Sequence, residues 1–165
     1  MMSVTNWKTV LKADPTEWLL EGENPSVRYF TLTGILEKSL TDSQVIETKN
    51  AIMTKGVVPK ILGKMNSSGY WETPDSFYTA KYKGTVWQLI TLAELGVDPA
   101  DPKVKAACEF ILQNSQNIES HGFSMAHAVT AGGGRQSGVV PCLTGNMVYS
   151  LIRLGYLDDP ESKQA

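Results

Sequence analysis

Four side chains carry the soft chemistry this sequence offers: Cys108, Cys142, His121 and His127. A thiolate with two imidazoles is a ligand set for tetrahedral zinc. Cys142, His121 and His127 are therefore candidate metal ligands, although their spacing fits no recognised zinc pattern. Cys142 follows Pro141 at an expected helix start, where a thiol pKa is lowered, so it is also a candidate nucleophile. The sequence places no base beside it. Cys108 falls on the apolar face of a helix and reads as a small core residue. Arg135 sits in Gly132-Gly133-Gly134-Arg135-Gln136-Ser137-Gly138. This run lacks the Gly-Lys-Ser/Thr ending of a phosphate loop, so the glycines read as turn-formers. Arg135 is a candidate for meeting an anionic head group near the helix start at Cys142.

A second constellation is aromatic. Tyr70, Trp71, Phe77, Tyr78, Tyr82 and Trp87 fall within one short stretch before and into a helix. Aromatic faces suit an apolar or cationic ligand. Trp71 reads first as a packing staple; for Tyr78 and Tyr82, packing and ligand contact stay equally open.

The elements that must hold these groups are all helical. Asp14-Pro15-Thr16-Glu17 and Asn24-Pro25 are helix starts, and Thr41-Asp42 caps a third helix that ends before Gly56. Residues 57–64 add a short helical piece, followed by an aromatic loop over 65–83. Thr85–Leu95 is the clearest helix, closed by Gly96. Asp101-Pro102 starts the next, and Pro141 opens the last, which ends at Gly155. No alternation of apolar and polar residues is sustained over a strand's length.

Self-similarity organises these helices. Thr85, Leu89, Leu92, Leu95 and Gly96 recur as Thr144, Val148, Leu151, Leu154 and Gly155, 59 residues later. A period of this length marks a solenoid or ring. Thr85–Leu95 is apolar all round except for a thin stripe of Gln88, Thr91 and Glu94, the pattern of an inner helix. Lys103–Gln113 has Val104, Ala107, Cys108, Ile111 and Leu112 on one face, the pattern of an outer helix.

Gly69-Tyr70-Trp71, then Gly84-Thr85-Val86-Trp87-Gln88-Leu89, then Leu92-Ala93-Glu94-Leu95-Gly96 resemble the prenyltransferase and squalene-oxidase repeat. So do Phe110-Ile111-Leu112 leading to His121-Gly122-Phe123, and the start Cys142-Leu143-Thr144-Gly145-Asn146. The resemblance spans about residues 15–160 and implies an α/α toroid around an apolar cavity that holds isoprenoid chains. It makes Trp71, Tyr78, Tyr82, Trp87, Arg135, Cys142 and Asn146 candidate ligand contacts, with the cavity beside Trp87 and Asn146. Two departures argue against catalysis. The family's cyclases protonate with D-x-D-D, and here Asp158-Asp159 is an isolated pair. The family's zinc transferases use Asp, Cys and His, and here Val140 and Pro141 stand where the Asp belongs.

The expected architecture is all-α: a single domain over residues 1–165 with about two and a half hairpins of an incomplete ring. The chain is then a fragment or a short relative. Its last inner helix, residues 142–154, would expose an apolar face, which predicts self-association or a covering partner. With 42% apolar and 19% charged residues and a net charge of −2, a packed core is expected without a general pull toward nucleic acid. Two cysteines and an N-terminus without an apolar core fit a reducing compartment, with the cytoplasm as the default. The function expected is binding of an apolar, isoprenoid or lipid-like molecule without a cofactor. The alternatives are a HEAT-like interaction scaffold and a zinc-dependent transferase using Cys142.

Overall fold

A computed structural model describes residues 11–129 and 132–156. The N-terminal segment 1–10, the Asp158-Asp159 pair and the Asp159-Pro160 step lie outside the described residues. The described part is helical, with isolated β-bridges but no strand. It falls into two compact units that divide between Gly56 and Val57. No described helix is long and apolar enough to cross a membrane.

The first unit holds α1 (Thr16–Leu19), α2 (Pro25–Phe30) and α3 (Ser43–Ile52). Asp14 accepts the Thr16 amide at 3.0 Å and so starts α1. The Arg28 guanidinium donates to the Leu20 carbonyl, tying the end of α1 to α2. Beyond Phe30 the chain widens into a π turn, Thr31–Ile35, in which the Leu36 amide reaches back to the Thr31 carbonyl at 2.9 Å. Asp42 caps α3 by accepting the Gln44 amide at 2.8 Å. Leu32, Val45 and Ile52 form the buried centre of this unit.

The second unit holds α4 (Val58–Leu62), α5 (Thr85–Leu95), α6 (Pro102–Ser115) and α7 (Pro141–Leu151). α5 packs against α4, α6 and α7. Its Val86, Leu89, Leu92 and Ala93 are buried, while Thr91 and Glu94 are exposed. Being apolar all round, this helix needs neighbours on several sides, and it has them. α6 buries Val104, Ala107, Cys108, Ile111 and Leu112 and exposes Lys103, Lys105 and Glu109. Asp101 caps it, accepting the amides of Lys103 at 2.8 Å and Val104 at 3.2 Å. Gly96 closes α5 in the left-handed region, at φ 68°, where an L side chain would be strained.

α7 buries Leu143, Met147, Ser150 and Leu151. Its exposed side carries Cys142, Gly145, Asn146, Tyr149 and Ile152, a mixed stripe rather than a continuous apolar face. The helix ends in a second π turn, Ile152–Tyr156, and Gly155 at φ 93° reverses the chain. The glycine-rich connection before α7 folds back on itself through bridges between Gln116 and Phe123, Ser124 and Val139, and His127 and Gly134.

Candidate functional site

Helices α5 and α7 of the second unit hold the loops before them by the same device. Asn66 opens the first loop: its carboxamide oxygen accepts the Ser68 amide at 2.9 Å, and its own amide donates to the Tyr70 carbonyl at 2.8 Å. Gly69 takes the left-handed position at φ 85°. There the loop lies so close to α6 that a Cβ on Gly69 would sit 2.3 Å from the Ala106 carbonyl oxygen. The Trp71 amide then donates to the Thr85 hydroxyl oxygen at 3.2 Å, at the first residue of α5. Asn117 does the same in the second loop, accepting the Ser120 amide at 2.8 Å and donating to the Gly122 carbonyl at 2.8 Å. His121 is the left-handed residue here, at φ 57°. The Phe123 amide donates to the Thr144 hydroxyl oxygen at 2.9 Å. Thr85 and Thr144, matched by sequence, thus latch two buried aromatic residues, Trp71 and Phe123.

Trp71 is anchored at both ends. Its indole N–H donates to the Ile61 carbonyl at 2.9 Å, so no polar atom of the ring is left for a ligand. Trp71 lines a half-open cavity of about 430 Å³. Val57, Ile61 and Trp71 supply its apolar lining, and Lys60, Lys64, Glu72, Lys83 and Gln88 its polar lining. Small-molecule pockets are of this size and are apolar with a few polar groups.

Tyr78, Tyr82 and Trp87 form an aromatic cluster beside it. The Trp87 ring lies 5.5 Å from Tyr78 and 5.6 Å from Tyr82, centroid to centroid. The Trp87 indole N–H donates to the Tyr78 carbonyl at 2.8 Å. Tyr82 is 70% exposed, and its carbonyl accepts the Gln88 side-chain amide at 2.8 Å. Trp87 and Asn146 do not line this cavity; of the seven candidate ligand contacts named from the sequence, Trp71 alone does.

The remaining candidates are separate. Arg135 is exposed and starts the short turn Gln136–Gly138. Cys142 is exposed in the first turn of α7. His121 lines a different, shallower space of about 370 Å³. His127 faces Asp75, Nδ1 to Oδ1 at 3.4 Å, a pairing between two loops that their spacing did not suggest. Among the described residues no group of three or more His, Cys, Asp or Glu side chains is placed to hold a metal ion. Cys142, His121 and His127 are therefore not gathered into one. Cys108 is buried, and desolvation pushes its thiol up to about 12, with the nearby Glu109 charge adding to the shift.

Sequence reasoning missed Lys60, Lys64, Glu72 and Lys83. Charged residues at a loop and at a helix end carry no periodic signal, and only the fold brings them round one space. The chain matches no protein-family model, no curated protein and no solved structure.

Proposed function

We propose that this chain is a helical-repeat binding protein of the cyclase and prenyltransferase-like kind, which holds an apolar, isoprenoid or lipid-like molecule without acting on it chemically. The observation that carries this reading is the half-open cavity walled by Trp71, Ile61 and Val57. The matched latches of Trp71 to Thr85 and Phe123 to Thr144 support a repeat of hairpins. On this reading the second unit is an arc of an α/α toroid. Native mass spectrometry of the full chain with dodecanol or farnesol tests it. A one-to-one complex is expected, weakened by Val57→Asp, which puts a charge into the apolar wall. An absent complex, or one indifferent to Val57→Asp, would contradict the reading.

A second reading, a protein-interaction scaffold, is favoured by a separate observation. In the first unit Trp18, Leu40 and Ile46 are exposed at 68%, 67% and 48%. Exposed apolar side chains that form one contiguous patch mark an interaction surface.

A further inference from the structure

The first unit exposes two apolar features that complement one another. One is Trp18 on α1, which is mostly in water and whose indole N–H donates to nothing among the described residues. The other described tryptophans, Trp71 and Trp87, both donate to backbone carbonyls. The chain around Trp18 is acidic. Asp14, Glu17, Glu21 and Glu23 flank it, against one lysine, Lys12. Glu17 and Glu21 are exposed and in no ion pair among the described residues.

The other feature is a groove of about 180 Å³ lined from α2, α3 and the turn before α3. Tyr29, Leu40, Val45 and Ile46 are its apolar walls, so the exposed Leu40 and Ile46 share one surface. Lys49 and Asn50 are its polar lining. The Lys49 ammonium lies over the Tyr29 ring, 5.1 Å from its centroid. The one charged group lining the groove is therefore positive. The exposed Asn50 carboxamide makes no hydrogen bond among the described residues. Small-molecule sites run to about 300–1,000 Å³. This groove is smaller, the size of a single large side chain. Trp18 does not line the groove of its own copy.

We infer that the groove takes Trp18 of a second copy of this chain. The indole lies between Leu40 and Ile46, its N–H donates to the Asn50 carboxamide oxygen, and Glu17 and Glu21 meet Lys49. A tryptophan seated in a pocket is the kind of side chain that dominates an interface, and opposite charges at the rim choose the partner. An exposed apolar side chain that fits a pocket elsewhere on the same molecule joins copy to copy. Charge decides for a second copy, since the acidic surround of Trp18 matches the lysine of the groove. This inference rests on the second reading above, in which the exposed apolar side chains of the first unit are an interaction surface.

Sedimentation velocity of the full chain from about 10 μM to about 1 mM, the range of a small contact, tests it. The average mass is expected to rise with concentration. Trp18→Ala, a change at an exposed position, should weaken the association about tenfold or more. A charge exchange tests the pairing itself. Glu17→Lys/Glu21→Lys sets a basic surround against a basic groove, and Lys49→Glu sets an acidic one against an acidic groove. Each variant alone should associate about three- to tenfold more weakly than the native chain. Their mixture should recover, because each variant's Trp18 then meets a groove of opposite charge. A mixture no tighter than its components would overturn the inference. A native chain that stays monomeric throughout would overturn it and leave the surface to a different partner. Association lost in Ile46→Asp but unchanged in Trp18→Ala would overturn the inference alone. Association unchanged in both would overturn the second reading with it, by placing the contact outside this surface.

Discussion

Replacing Thr85 with valine should loosen the loop that carries Trp71. Thr85 is fully buried, and its hydroxyl oxygen accepts the Trp71 amide at 3.2 Å. Valine keeps the volume but offers no acceptor, so a buried N–H is left unmatched at a cost of about 1–3 kcal/mol. In a chain of this size each kcal/mol lowers the thermal midpoint by about 2–4 °C. A loss of about 2 kcal/mol thus predicts a fall of about 4–8 °C. Thr144→Val should cost a similar amount through the Phe123 amide. The Val140 carbonyl, which loses the Thr144 hydroxyl at 3.1 Å, keeps the Thr144 amide at 3.0 Å. Thr91→Val is the internal control. That hydroxyl is exposed and only bonds back to the Trp87 carbonyl, so its removal should stay within about 0.5 kcal/mol. Thermal unfolding followed by tryptophan emission compares the three. If Thr85→Val and Thr144→Val lose no more than Thr91→Val, the latches do not hold the loops, and the argument for a structural repeat fails with them.

Three further outcomes are expected. The Ser150 hydroxyl is buried without a partner, so Ser150→Ala should leave stability unchanged or raise it by about 1 kcal/mol in denaturant unfolding; a clear loss would mean that the hydroxyl is bonded. Asp42 has its carboxyl pulled below the usual range by the Gln44 amide and then by Lys38. Its contribution is therefore present above the unfolded carboxylate pKa and lost as pH falls through the lower folded value; a fall in hydrogen-exchange protection of the first turn of α3, taken relative to the intrinsic rate at each pH and absent in Asp42→Ala, would register this. A thiol reagent should label Cys142, which is exposed, and spare Cys108 until the chain is unfolded; two equally fast thiols would contradict the buried placement of Cys108.

Much of the helical frame was legible because it is written locally. Asp42 and Asp101 each cap the helix that follows, and Gly96 ends α5, since a carboxylate before a helix and a glycine after it act within a few residues. That α5 has helices packed on several sides and α6 buries a single face followed from how far round each helix its apolar residues run. Thr85 and Thr144 were matched by spacing, although their shared hydrogen bond to an aromatic residue was not visible. Asn24, expected to cap α2, makes no side-chain cap bond. The π turns after Phe30 and Leu151 left no mark, because a widened turn keeps the helical apolar spacing.

The candidate site was less legible, for a physical reason. Residues 115–140 read as an open glycine-rich stretch, yet Gly134 packs so closely under the Ser115 carbonyl that a Cβ would lie 2.0 Å from its oxygen. Such contacts depend on which segments meet, not on the order of neighbours. The same holds for Lys60 and Lys64, which line one space with Glu72 and Lys83 from a later stretch of the sequence. Of the seven ligand candidates only Trp71 lines that space, and the sequence reads it first as a packing staple; Arg135 and Cys142 rest on the chemistry of a helix start, which says nothing of this space.

The central claim is that the cavity beside Trp71 is a ligand site. Amide chemical-shift mapping of the full chain during a dodecanol titration tests this most directly. Saturable shifts confined to residues 57–64, 71–72 and 83–88 are predicted. Shifts absent altogether, or concentrated on α7 or on the first unit, would contradict the claim.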